Sequence, residues 1–568
     1  MSIFTKVKRP KVKTSVFNLS EEHRLSCNMG QLIPILCKEV LPSDRFNINT
    51  ELLIKLAPLK APMMQRLKAK VDYFFVPNYQ VCDCFKDFIN PKVNSDNSII
   101  LPFFTPSWAF SFTQNNPFAI ESLADYLGLP ITQTDGAKNF SGFENVKISA
   151  LPFLVYQHIF NCYYRDQNLQ LDEGDLSSID CCNIDFFKSM QGLIGDDETL
   201  ESNVLQNQFE QLFKLRSTAW KKDYFTSALP SPQAGDDVYL PVGDKAPLVG
   251  KSQINMEALG SSLIPSYSTP ISFETDNDES ADSAHLMVNY EDLQEEPAQA
   301  GLFANFRGTN NYADLSQATG ISINNFRKLF SLQAFKELAE RGGTRYNEVV
   351  RNFFNAFLPD GYIDRPIYLG GQVQPINVGE VIQTSGTDVN SPQGYRAGIA
   401  NSFGRTRNVR LHANAHGYVM GILRIMPEAT YSQGLERMWT RENIFDFAWP
   451  QFANIGEQEI FSQELYLTDT AATNKGVFGY TPRYAEYKEG HCHTCGQFRP
   501  GGNLEYWSMQ RKFANKPELN SDFISMVKGV NYSPFYQTSD SVEHCYVDLY
   551  NHITARRPLP YFGTPSTL

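Results

Sequence analysis

The sequence of 568 residues is poor in cysteine and lacks long apolar runs. Its ten cysteines are too sparse for a disulfide framework, so we expect free thiols and folding in a cytosol. The first fifteen residues are basic and contain no apolar segment, which argues against a secretory signal. The longest uncharged stretch, residues 97–120, is interrupted by Pro102, Pro106 and Pro117, so it predicts loops and short strands instead of a transmembrane helix.

Catalytic motifs are missing as well. The sequence contains no G-x-S-x-G elbow, no H-E-x-x-H pair and no dinucleotide-binding glycine fingerprint, so it offers no support for the corresponding hydrolase, zinc peptidase and nicotinamide chemistry. Paired carboxylates are abundant among 62 acidic residues, and they leave glycosidase chemistry open without pointing to it. We predict a protein without enzyme activity and without a cofactor.

The most metal-like pattern is the HCHTC motif at residues 491–495. Its alternate residues would share one face of a strand and present two nitrogens and one sulfur. Zinc takes four ligands, however, and no paired C-x-x-C or H-x-x-x-H motif stands nearby. We therefore predict no metal site, and the alternative is a partial ligand set formed by His491, His493 and Cys495.

Basic residues are fewer than acidic ones, with 50 Lys and Arg against 62 Asp and Glu and a net charge of −12. This balance argues against a globally basic nucleic-acid-binding protein but allows a local basic patch.

Residues 252–306 contain no Lys or Arg and ten acids, so the rest of the chain carries a net charge of only −2. Such a segment predicts a solvated surface insertion. Its candidate functional residues are Glu274, Asp276, Asp278, Glu279, Asp282, Glu291, Asp292, Glu295 and Glu296.

A basic arm occupies the N-terminus, where five cations precede the first acid, Glu21. An arm of this composition cannot order itself without a partner. It is either a solvated tail or a flexible, sequence-blind contact to nucleic-acid phosphates. The candidate nucleic-acid-binding residues are Lys6, Lys8, Arg9, Lys11 and Lys13.

Short β runs separated by proline and glycine make up most of the remaining pattern. Helical patterns are few and cover residues 121–127, 154–165 and 323–341, the last with Ser322 as its N-cap. This combination predicts a mainly β sandwich or jelly roll with long loop insertions and a few short helices. We divide the chain into an arm, a first β part, an acidic surface insertion and a second β part, at residues 1–15, 16–235, 236–311 and 312–568.

Several blocks of sequence carry a family resemblance. The block LSCNMGQLIP at 25–34 is followed in order by LADYLGLP at 123–130, RGGTRYNEVVRNFF at 341–354, HGYVMGILRIMPEATYSQGLERMW at 416–439 and FGYTPRYAEYK at 478–488. Together they closely resemble the major capsid proteins of gokushoviruses, small icosahedral single-stranded DNA phages of the Microviridae. The matches are collinear and cover most of the chain outside the arm and the acidic segment.

The resemblance implies an eight-stranded viral jelly roll and a T=1 icosahedral shell that encloses a circular single-stranded DNA genome. It implies as partners further copies of the chain, a small basic DNA-binding protein, a pilot or minor capsid protein, a scaffolding protein and a host cell-surface receptor. Gokushovirus capsid proteins carry a threefold surface protrusion, so the acidic insertion becomes the candidate for host attachment.

The expected location is therefore the virion, after synthesis and assembly in the host bacterial cytoplasm. The competing interpretation is an extracellular or surface β-sandwich that binds glycans or acts as a glycosidase. A shell of uniform diameter would distinguish the capsid interpretation from this alternative.

Overall fold

The computed structural model describes most of the two predicted β parts and little of the acidic segment. Within the described residues, every helix is too short or too polar to cross a membrane. The described residues are 13–82, 84–90, 99, 101–113, 116–131, 146–170, 210–235, 248–249, 255–259, 301–305, 312–313, 323–342, 346–355, 365–385, 393–406 and 408–562.

Eighteen strands are present among these residues, and most of the long ones show the period-two burial of a half-buried sheet. The strands are β1 Ser15–Asn18, β2 Glu21–Cys27, β3 Ile33–Val40, β4 Arg45–Leu56, β5 Leu67–Pro77, β6 Phe103–Phe104, β7 Ile148–Ser149, β8 Leu248–Val249, β9 Asn255–Leu259, β10 Gly301–Asn305, β11 Tyr312–Ala313, β12 Ile367–Ile382, β13 Arg396–Arg405, β14 Val409–His412, β15 Gly417–Pro427, β16 Glu457–Phe461, β17 Val477–Pro482 and β18 Cys545–Arg557.

Ten of these strands form one curled antiparallel sheet. Its order is β1-β18-β4-β13-β12-β5-β15-β3, with β14 beside β4 and β2 beside β18. β12 joins the two sides of the curl, because residues 367–376 pair with β5 and residues 377–382 pair with β13. A sheet that curls in this way presents one face of both sides to a common interior.

The interior is a single apolar cluster drawn from both sides of the curled sheet. Ile48 and Leu549 from β4 and β18 share it with Val71 and Tyr73 from β5 and with Val419 from β15. The predicted mainly β jelly-roll class is thereby confirmed, and the curled sheet has ten strands where the family resemblance implies eight.

The outer face of the β3, β5 and β15 side is covered by a layer of helices and loops. Phe74 and Met420 project from these strands into a second apolar cluster, where Phe153 and Tyr156 pack against them. The covering elements are the short helices Asn78–Val81, Phe85–Phe88, Pro106–Phe112, Leu123–Tyr126 and Leu151–Ile159 and the π-helix Phe160–Tyr164.

The helices predicted from the N-terminal half of the sequence are confirmed in this layer. The pattern over 121–127 corresponds to the helix Leu123–Tyr126, which Ser122 caps by accepting a hydrogen bond from the Asp125 amide. The pattern over 154–165 corresponds to the helix that begins at Leu151 and continues as a π-helix.

The segment 210–235 and loops and short helices of the C-terminal half form a third apolar cluster, around Phe225, Tyr431, Ile460 and Phe523. The helices of this half are Ile323–Gly342, Tyr346–Phe354, Ser462–Leu465, Ala471–Asn474, Ser521–Ile524 and Met526–Gly529, and the 3-10 turns are Arg437–Thr440, Ile444–Asp446, Pro450–Phe452, Ala485–Tyr487, Gly496–Phe498 and Glu505–Trp507.

The chain divides into two compact units. One comprises residues 1–235 and 335–568, and the other comprises residues 236–334. In the second unit, β9 pairs with β10 and β8 pairs with β11.

The predicted helix over 323–341 is confirmed as Ile323–Gly342, but its apolar residues Phe326 and Phe330 are exposed instead of buried.

Candidate functional surfaces

The predicted nucleic-acid-binding arm is described only at its C-terminal end. Lys13 is exposed and lies two residues before β1, which pairs with the last residues of β18. The other four arm residues lie outside the described residues, as do all nine acids proposed for host attachment. Both assignments therefore stay predictions.

Among the described residues, a loop that the sequence analysis did not single out exposes many apolar side chains. We call residues 437–455 the aromatic loop. The side chains of Trp439 and Phe445 are 69% and 67% exposed, which is unusual for residues of this size. Further exposed apolar side chains of the same loop are Met438, Ile444, Phe447, Trp449 and Ile455.

Hydrogen bonds hold the aromatic loop in one conformation. The Asp446 carboxylate accepts from the Asn443 and Glu442 amides at 2.7 and 2.8 Å, and these bonds lower the pKa of Asp446. The Trp449 indole donates to the Ile444 carbonyl at 2.9 Å, and the Trp449 amide donates to the Tyr484 hydroxyl at 3.2 Å. A loop already fixed in this way loses little further entropy when a partner covers it.

Cations at the base of the aromatic loop connect it to the third apolar cluster. The Arg441 guanidinium lies 4.4 Å from the Tyr487 ring centroid and 3.6 Å from the Glu486 carboxylate. Arg437 lies 3.7 Å from Glu464, a carboxylate whose pKa is raised by burial. The loop is therefore anchored at its base by partly desolvated ion pairs while its apolar side chains face outward.

The HCHTC motif lies beside this anchor, and both of its histidines face one carboxylate. His491 Nε2 and His493 Nδ1 approach the same Glu436 oxygen, at 3.7 and 3.8 Å. Cys495 is exposed, and within the described part of the chain no group of three His, Cys, Asp or Glu side chains is arranged to hold a metal. Burial lowers the pKa of His491, against the opposing effect of Glu436 and Asp223.

A second exposed surface is the outer face of β13, β14, β4 and β18, on the side of the sheet opposite the helical layer. Alternate residues of these strands point outward, and they include Phe403, which is 73% exposed, and the partly exposed Tyr546 and Tyr550. We call this face the open sheet face. It combines aromatic side chains with cations, and it also carries the carboxylates Glu51 and Asp548.

Comparison with known proteins identifies the family. A family model described as phage capsid protein (F protein) matches residues 5–567. The chain belongs to this phage capsid protein family. Capsid protein VP1 of Bdellovibrio phage phiMH2K is 32% identical over 577 residues, which cover 98% of this chain and 96% of that protein. Capsid protein VP1 of Chlamydia phage 1 is 29% identical, with 99% of this chain and 97% of that protein covered.

A third relative, capsid protein VP1 of Spiroplasma virus 4, is 27% identical over 95% of this chain and 92% of that protein. The resemblance to gokushovirus capsid proteins is thus confirmed, and the capsid protein is a structural component of a virion. A capsid protein works by binding copies of itself, so its functional sites are surfaces. The density of aromatic residues from Arg437 to Ile455 is the sequence pattern that could have indicated such a surface.

Proposed function

We propose that this capsid protein assembles into a closed T=1 icosahedral shell around a circular single-stranded DNA genome, and that the aromatic loop is one of its subunit contacts. The supporting observation is the rigid, outward-facing set of apolar side chains around Trp439 and Phe445. Tryptophan and tyrosine are the side chains most enriched at the energetic centres of protein interfaces. The proposed role is structural and involves no catalytic turnover.

Substitution of the loop tests this proposal. We expect Trp439→Ser combined with Phe445→Ser to abolish or strongly reduce shells at a protein concentration that gives shells of the unaltered chain, because each buried anchor contributes about 2 kcal/mol or more. Shells are counted by electron microscopy and sedimentation, with scaffolding partners co-expressed. Circular dichroism checks that the variant is folded.

A matched control is Ile120→Ser, which removes an apolar side chain of similar exposure outside the loop. The control should assemble as the unaltered chain does. Normal shell yield from the double variant would contradict the assignment of the aromatic loop as a contact.

We infer the other partners of this chain from its membership of the phage capsid protein family. The arm residues contact packaged DNA, assisted by a small basic DNA-binding protein, because a shell subunit of net charge −12 cannot neutralise a genome by its overall charge. A scaffolding protein acts during assembly in the host bacterial cytoplasm, and a pilot or minor capsid protein completes the virion. The acidic segment contacts a host cell-surface receptor.

A further inference from the structure

The open sheet face has a row of cations at the end nearest the N-terminal arm. Arg45 on β4 lies opposite Arg556 on β18 and, on its other side, opposite His412 on β14. Two residues further along β4 and β14, Arg410 lies opposite Asn47. Because directly paired residues of antiparallel strands point to the same face, the three arginines and His412 form one cluster.

The cluster is exposed, and no acid in the described part of the chain neutralises its arginines. No ion pair within the described residues involves Arg45, Arg410 or Arg556, although other arginines of the sheet are paired. The nearest acid along β4 on the same face is Glu51, and it already contacts Arg405 at 3.6 Å. Like charges placed directly opposite each other destabilise a sheet. A bound anion would offset that cost.

The cluster is continuous with the arm. The Arg556 guanidinium donates two hydrogen bonds to the Thr14 hydroxyl, at 3.2 and 3.1 Å, and Lys13 precedes it. The described end of the arm, Lys13 and Thr14, therefore lies at the edge of this cluster.

Aromatic side chains follow the cations along the same face. Tyr550 is exposed and packs against His552, with ring centroids 4.4 Å apart. Tyr546 lies further along β18, and Phe403 lies opposite Leu53 on the neighbouring pair of strands. Cations that bind phosphates beside aromatic rings that stack on bases are the usual composition of a single-strand binding surface.

We propose that the open sheet face binds single-stranded DNA, with Arg45, Arg410 and Arg556 on its phosphates and with His412 and Lys13 at the margins. This assignment rests on the proposed enclosure of a single-stranded genome. Arginine suits the role because its planar guanidinium presents paired donors that match phosphate oxygens. An acidic segment of a neighbouring copy would satisfy the cations but would give the aromatic residues no base to stack on, so the nucleic acid is favoured.

The test uses unassembled full-length protein and a fluorescently labelled single-stranded oligonucleotide, titrated at several salt concentrations. We expect the triple variant Arg45→Gln, Arg410→Gln, Arg556→Gln to bind about tenfold or more weakly at low salt. The slope of log affinity against log salt concentration should become less negative by about 2, because each phosphate contact to a single strand contributes about −0.7 to that slope.

The matched control Lys68→Gln, Lys512→Gln, Lys528→Gln removes the same charge from ion pairs elsewhere on the surface. It should change the salt slope little. An unchanged affinity and slope in the arginine variant would overturn the proposal.

A second probe, a synthetic peptide of residues 272–298, represents the acidic segment of another copy. If the arginine variant loses affinity for this peptide but keeps its affinity for the oligonucleotide, the surface is a subunit contact and the DNA assignment is wrong. Because neither titration requires a shell, failure here is distinguishable from failure of the proposed assembly, which the Trp439 and Phe445 variant tests separately.

Discussion

Asp72 is a buried carboxylate on β5, beneath the helical layer. Its oxygens lie 3.2 Å from Lys70 Nζ and 3.4 Å from an Arg424 nitrogen, and the hydroxyls of Tyr164 and Tyr368 each donate to it at 3.1 Å. Replacing it by asparagine removes the charge that both cations face. We expect Asp72→Asn to lower the free energy of unfolding by about 3 kcal/mol, measured by denaturant unfolding of the unassembled chain.

The control for this prediction is an exposed ion pair of the same type. Asp522 and Lys528 are 2.5 Å apart, but their side chains are about three-fifths exposed. Solvent screens such a pair, so Asp522→Asn should change the free energy of unfolding by less than about 1 kcal/mol. Equal effects of the two substitutions would show that burial of Asp72 does not matter for stability.

At the scale of elements, β13 approaches the segment before β5 at a glycine. A methyl group on Gly398 would lie 2.5 Å from the Ala61 carbonyl oxygen, so the strand would have to shift. We expect Gly398→Ala to lower the free energy of unfolding by about 1 to 3 kcal/mol, measured in the same way. Gly379→Ala on neighbouring β12 is the control, because its nearest outside atom would be 3.7 Å away. A control that destabilises as much would contradict this steric explanation.

Local patterns predicted the elements well, because their signals lie within a few residues of one another. The helical patterns over 121–127, 154–165 and 323–341 needed no tertiary information. The exposure of Phe326 was not predictable, because the apolar periodicity of a helix does not say what covers its face. The pairing of Arg45 with Arg556 was not predictable either, since it depends on the register between strands from opposite ends of the chain.

At the scale of the whole molecule, a segment rich in acids and a cluster of arginines lie in different parts of the chain. Residues 252–306, with ten acids and no Lys or Arg, belong to the second compact unit. Arg45, Arg410 and Arg556, which form no ion pair among the described residues, lie on the open sheet face of the first unit. Among the described residues, those of the sandwich core all belong to the first unit. We therefore expect the jelly roll to fold without side chains of the acidic segment.

This separation leads to the prediction for host attachment. Replacing residues 252–306 with a short Gly/Ser linker should leave the number and diameter of shells unchanged in electron micrographs, because the core is intact. Adsorption of the particles to host cells should fall, measured as the loss of free particles over time. A second variant keeps the full length but converts the nine candidate acids to amides. If adsorption falls in both variants, the carboxylates make the contact. If it falls in the linker variant alone, other parts of the segment make it. Normal adsorption by the linker variant would refute a role in attachment.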